Sequence, residues 1–141
     1  MKARASKPIR LSRQEKELID RAAAASKNAH APYSRFKVGA ALQVESGQVF
    51  VGCNVENASY GATVCAERNA VAQAVVNGHK KFKRIAIMTA TSPPAPPCGL
   101  CRQVLVEFCD ELPILLANPR GEVVRAKLSK LIPQPFCGKS L

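Results

Sequence analysis

Three shortages narrow this sequence before any motif is considered. No apolar run approaches the roughly 20 residues that a bilayer span needs, so the chain reads as a non-membrane protein. The N-terminus holds basic residues but no apolar stretch leading to a small-residue cleavage site, which predicts no secretory leader and a reducing, cytoplasmic setting. Aromatic residues are only 5% of the 141 positions, and acidic ones number 10 against 21 Lys and Arg, a net charge of +11. A basic surface attracts phosphate chains without specific contacts. Here, however, the cations gather at Lys2, Arg4, Lys7, Arg10, Arg13 and Lys16 and again at Lys80, Lys81, Lys83 and Arg84. Neither cluster interleaves aromatics in the manner of a single-strand binder, so both read as solvated faces and the sequence weighs against a nucleic-acid partner.

What remains is the composition of an ordinary globular protein, 47% apolar and 22% charged, with length for one core. Residues 1–11 read as a flexible basic tail and 12–141 as one catalytic domain. Ser12 followed by Glu15 has the spacing of a capping box, predicting a helix to about Lys27 with Leu18, Ile19, Ala22, Ala23 and Ala25 available for an apolar face. Val38–Val44 and Val49–Cys53 are β-prone and separated by Glu45-Ser46-Gly47-Gln48, a hairpin signal. Cys65–Val76, rich in Ala and Val and stopped by Asn77-Gly78, predicts a buried helix. Arg84–Thr91 predicts a strand and the prolines at 93–97 a loop, with a second buried helix from about Cys98. Pro113–Ala117 and Val123–Leu128 read as strands joined by Asn118-Pro119-Arg120-Gly121, too short a link for anything but an antiparallel pair. The expected fold class is α/β, a three-layer α/β/α sandwich around a mixed five-stranded sheet.

Six cysteines in a reducing setting read as metal ligands or buried thiols rather than as disulfides. Cys98 and Cys101 form a C-x-x-C pair at a helix start, where backbone N–H groups and the helix dipole favour the thiolate that binds zinc. Cys65 supplies a third thiol at another helix start. Three ligands leave one tetrahedral position open, as catalytic zinc requires; a fourth ligand from Cys53, Cys109, Cys137, His30 or His79 would instead make the site structural. Glu67, two residues after Cys65, is placed to move protons to and from zinc-activated water. Arg68 is expected to lie against the sulfurs and offset the net negative charge of a three-thiolate zinc centre, with Gln103 in a similar role.

Cys65-Ala66-Glu67-Arg68 and Pro97-Cys98-Gly99-Leu100-Cys101-Arg102-Gln103 resemble the zinc cytidine deaminase family, in particular its small homotetrameric branch acting on free nucleosides. The resemblance extends through Tyr33–Leu42 and Gly52–Gly61 to Leu131-Ile132-Pro133 and Phe136. It implies one Zn²⁺ per subunit and hydrolysis of cytidine and deoxycytidine to uridine and deoxyuridine in pyrimidine salvage, with water attacking C4 while Glu67 serves as general acid and base. It also implies that Phe36 packs on the base, that Asn54 and Glu56 bind the ribose hydroxyls, and that Ala66 belongs to the substrate pocket. Ala58, Tyr60 and Phe136 would reach the pockets of neighbouring subunits. Two other kinds of deaminase compete with that reading: the blasticidin type shares the zinc site, whereas polynucleotide-acting relatives use a His-Cys-Cys arrangement. Polynucleotide deaminases typically insert a helix before the last strand, unlike the short link here, and a blasticidin-type deaminase is disfavoured by the Asn54–Glu56 segment. A zinc-stabilised binding module without catalysis is the alternative from another class.

Overall fold

The first helix begins where its capping residues place it. In the computed structural model, which describes residues 9–141, Glu15 N donates to Ser12 Oγ (3.2 Å) and Ser12 N donates to Glu15 Oε2 (2.8 Å). This reciprocal pair satisfies two backbone donors that a helix start otherwise leaves without partners. Helix α1 then runs Arg13–Ser26 and turns Leu18 and Ala22 into the core. Most of the tail expected over 1–11, residues 1–8, lies outside the described residues.

Strands β1 (Gly39–Val44) and β2 (Val49–Cys53) form the expected antiparallel hairpin. Its turn uses Gly47 at φ +93°, a conformation that side chains with a Cβ rarely adopt. Helix α2 spans Ala66–Val76, with Gly78 at φ +85° just past its end. Strand β3 is Phe82–Met88, earlier and shorter than the expected 84–91. Phe82 extends the strand because its ring is buried and its backbone pairs with Val44 beyond a register shift. Thr89 ends it: its hydroxyl accepts from Ala95 N (2.9 Å) and draws the chain into the proline loop.

Helix α3 (Gly99–Val106) crosses over to β4 (Pro113–Ala117), which pairs with β3 in parallel; a parallel pair requires such a connection. Strand β5 (Val123–Lys127) returns antiparallel to β4. It stops one residue earlier than expected because Leu128 opens a short helix, α4 (Leu128–Leu131), with its side chain fully buried and its N–H bonded to Leu112 O (3.0 Å). The sheet order is β2-β1-β3-β4-β5, a mixed five-stranded sheet. Alternate residues of β1 enter different cores: Ala40, Leu42 and Val44 pack with α2 and α3, whereas Ala41 packs with Leu18 and Ala22 of α1. The molecule is thus the expected three-layer sandwich.

Two glycines permit the close approach of helix to sheet. A Cβ at Gly39 would stand 1.9 Å from Ala22 O of α1, and one at Gly52 would stand 2.3 Å from Ala66 O of α2. The second approach matters for chemistry, because it presses the start of α2 against the end of β2. Among the described residues, no helix is long and apolar enough to cross a membrane.

Candidate active site

Cys65 is the N-cap of α2, Cys98 is the N-cap of α3, and Cys101 lies in the first turn of α3. Neither capping thiol bonds to its own helix, so both remain available as ligands. The positive ends of two helix dipoles meet here and favour thiolates. All three Sγ atoms lie within 4.8 Å of one another, and Cys65 and Cys98 are 3.7 Å apart. Tetrahedral zinc with Zn–S bonds of about 2.3 Å separates its sulfurs by about 3.8 Å, so the donor set fits zinc. Among the described residues, no fourth His, Cys, Asp or Glu joins the cluster. Cys109 instead donates to Leu105 O (3.4 Å), and burial pushes its thiol up to about 11.

The thiols share protons unequally. A hydrogen bond from Cys101, reinforced by Arg68, pulls Cys65 down to about 5 against the effect of burial. The same bond, together with burial, pushes Cys101 up. Arg68 Nη2 donates to Thr63 O (2.9 Å) and stands 4.0 Å from Cys65 Sγ. Its Nε is buried without a partner, which ordinarily costs about 1–3 kcal/mol. The negative charge of three thiolates on zinc would offset that cost, a second sign that the site suits the metal.

Glu67 is only 4% exposed, and burial, aided by the Cys65 charge, raises its carboxyl above the ordinary range. It shares with Cys65 and Cys98 the wall of a cavity of about 160 Å³, whose other walls include Phe36, Asn54, Ala66 and Thr89. A larger groove of about 810 Å³ lies elsewhere and contains no thiol, so chemistry rather than size identifies the site. Small-molecule pockets usually enclose roughly 300–1,000 Å³, so one chain walls off only part of such a pocket.

Asn54 and Glu56 both brace the loop that carries Phe36. Asn54 Oδ1 accepts from Val38 N (2.8 Å) and its Nδ2 donates to Phe36 O (2.8 Å). Glu56 accepts from the backbone N–H groups of Tyr33 (2.9 Å) and Ser34 (3.2 Å) and from the Ser34 hydroxyl. Between them, Arg35 is held at φ +58°, which costs a residue with a Cβ about 1–2 kcal/mol. Glu56 and Tyr60 line an adjoining depression of about 390 Å³, and Thr63 borders both spaces. Ala58 is exposed, and Tyr60 (78%) and Phe136 (62%) stand open to solvent. Gln103 Nε2 donates to Phe136 O (2.7 Å), fastening the C-terminal segment to α3.

Sequence reasoning passed over Arg102. Its Nε donates to Pro97 O (2.8 Å), next to Cys98, and its Nη1 to Leu131 O (2.8 Å). Its adjacency to Cys101 was visible, but the second partner lies 29 positions away and only folding brings it near. Ser34 was passed over for the same reason, since it meets Glu56, 22 positions away.

A family model for the cytidine and deoxycytidylate deaminase zinc-binding region matches residues 12–116. The chain is 43% identical over 126 residues to the cytidine deaminase of Sporosarcina psychrophila, covering 89% of this chain and 93% of that one. It is 43% identical over 125 residues to that of Halalkalibacterium halodurans, covering 88% and 95%. Among solved structures, the cytidine deaminase of Burkholderia pseudomallei superposes with a TM-score of 0.83 at 47% identity, over 86% of this chain and 98% of that one. That of Mycobacterium tuberculosis gives 0.74 at 39% identity, over 86% and 95%.

Proposed function

This chain belongs to the zinc-dependent cytidine and deoxycytidylate deaminase family, and on that premise we propose that it hydrolyses cytidine and deoxycytidine to uridine and deoxyuridine with release of ammonia, a step of pyrimidine salvage. The observation that carries the reading is one cavity whose wall holds Glu67, Cys65 and Cys98, with Cys101 completing the ligand set. Cys65, Cys98 and Cys101 would hold a zinc ion, which would lower the pKa of bound water toward about 7 and supply Lewis acidity.

The chain's own groups do the remaining work. Glu67, its proton affinity raised by burial, takes a proton from water, passes it to ring N3 and then assists the departing amine. Phe36 at the cavity wall packs on the base. The base occupies the inner space and the ribose reaches past Thr63 into the depression, so that Asn54 addresses its hydroxyls from the inner cavity and Glu56 from the depression while both keep the Phe36 loop in place. We assign Ala58, Tyr60 and Phe136 to pockets of neighbouring subunits in a homotetramer; their exposure and the small volume enclosed by one chain support this assignment. A reducing cytoplasm suits the six free cysteines.

The test follows the absorbance of cytidine and deoxycytidine during turnover, with and without a zinc chelator, beside Glu67→Gln. Turnover should require zinc, and the variant should keep the metal while losing about 10²–10⁴-fold in kcat. Folded, zinc-loaded protein that turns over neither nucleoside overturns the proposal.

A further inference from the structure

The excess positive charge plays no part in the chemistry above, and the fold concentrates some of it in one place. Helix α1 packs on β1, β2 and β3 but scarcely reaches β4, so its face of the sheet stays uncovered toward β5. The open region is the groove of about 810 Å³, with Pro113 and Leu115 of β4 along its floor. Lys83, Arg84, Arg125, Lys127 and Lys130 surround that floor, and they come from two separate stretches of chain, β3 and the run from β5 into α4. Strand pairing sets Arg125 beside Leu115 and Lys127 beside Pro113, and residues two apart on a strand share a face. Glu15 is the sole carboxylate of the lining, and its charge is already engaged by Arg125 and by Arg84 at 4.0 Å. The described chain also begins here: Arg125 Nη2 donates to Arg10 O (3.2 Å), and Lys2, Arg4 and Lys7 precede that point in the sequence.

We propose that this groove binds the phosphate backbone of a single-stranded polynucleotide, without sequence preference and apart from the deaminase site. Its cations lie on β3 and β5, which β4 separates so that they stand roughly 10 Å apart, and on α4, a spread suited to a chain of charges rather than to one phosphate. The lining contains no aromatic side chain on which a base could stack, so binding is carried by charge and is sensitive to salt. The groove shares no lining residue with the zinc cavity, so an occupied groove leaves nucleoside turnover running.

A fluorescently labelled oligouridylate of about 20 nucleotides tests this; containing no cytosine, it is not a substrate. Anisotropy titrations of the full chain from about 50 to 200 mM salt should show binding that weakens steeply as salt rises. The triple variant Lys83→Gln, Lys127→Gln, Lys130→Gln should bind at least about tenfold more weakly at the low-salt end. Its log–log salt slope should be shallower by about 2, near 0.7 for each phosphate no longer neutralised. Lys127→Gln alone should take about a third of that step, and both variants should turn over cytidine at the wild-type rate. Absence of binding at low salt overturns the proposal, as does unchanged affinity and slope in the triple variant. ATP competing as well as unlabelled oligouridylate at equal phosphate concentration also overturns it, in favour of a small-anion site.

Discussion

Beneath α2 and α3 the sheet presents Leu42, Ile85, Ile87, Ile114 and Leu116, and Leu105 and Leu112 close over them. Beneath α1 it presents Ala41, Ala86 and Ala117 with only two large side chains, Met88 and Leu115, met by Leu18 and Ala22. Full burial of a large aliphatic side chain contributes about 1.5–3 kcal/mol and an alanine far less, so the two faces differ in how firmly they hold what sits on them. The thick core anchors the two helix starts that carry the thiols. The thin one anchors a single helix and leaves charged side chains around an open groove. Catalytic geometry requires sub-ångström positioning and here rests on the firm side; binding by diffuse charge tolerates the other.

The sharpest way to break this comparison is to insert the same methyl group on each face. Gly39→Ala collides with Ala22 O and Gly52→Ala with Ala66 O, and each should destabilise the fold by roughly 3 kcal/mol, readable by denaturant titration. They should differ in activity. Ala66 lies between Cys65 and Glu67, so Gly52→Ala should also lose zinc affinity and kcat, while Gly39→Ala, assayed where it is folded, should keep both. Equal activity losses in the two variants would mean that the faces are not independent.

A smaller effect probes the firm side alone. Arg102→Ala releases both Pro97 O and Leu131 O, and zinc affinity measured by chelator competition should fall about 10–100-fold. The fold should survive, because α3 keeps its buried Leu105.

The smallest expected effect belongs to the thin side. The Arg125 guanidinium holds the Glu15 carboxyl down at about 2, below its ordinary 4.5. The folded value lies below the unfolded one, so the stabilisation is complete above about pH 4.5 and is lost as pH falls through about 2. Glu15→Gln keeps a side chain able to complete the capping box but removes the charge. It should cost about 1 kcal/mol near neutrality, given the screening of half-exposed Arg125. The stability difference from wild type should shrink toward zero between those pH values in acid melts, and a pH-independent difference would assign the pair no electrostatic role.

Much of the fold was legible because its signals are local. Ser12 and Glu15 set the first helix start, Gly47 the hairpin turn and the four-residue link an antiparallel β4–β5 pair. The ends of β3 and β5 were less legible, because Phe82 and Leu128 extend or end their elements through burial against distant residues. Within the candidate site, the three ligands and Glu67 could be named from spacing. Asn54 shows the limit: its amide clamps Val38 and Phe36, partners 16 and 18 positions away, which no local pattern reveals.

By itself, then, the sequence determined which side chains are candidates for the chemistry and where the helices that present them begin, because caps, turns and helical spacing act over a few bonds. Tertiary structure alone decided that Cys65 and Cys98, 33 positions apart, stand 3.7 Å from one another. It also decided that cations from two distant stretches of chain surround one groove. Those distances depend on how closely each helix approaches the sheet and which strands become neighbours, and packing sets both only once the whole chain has collapsed.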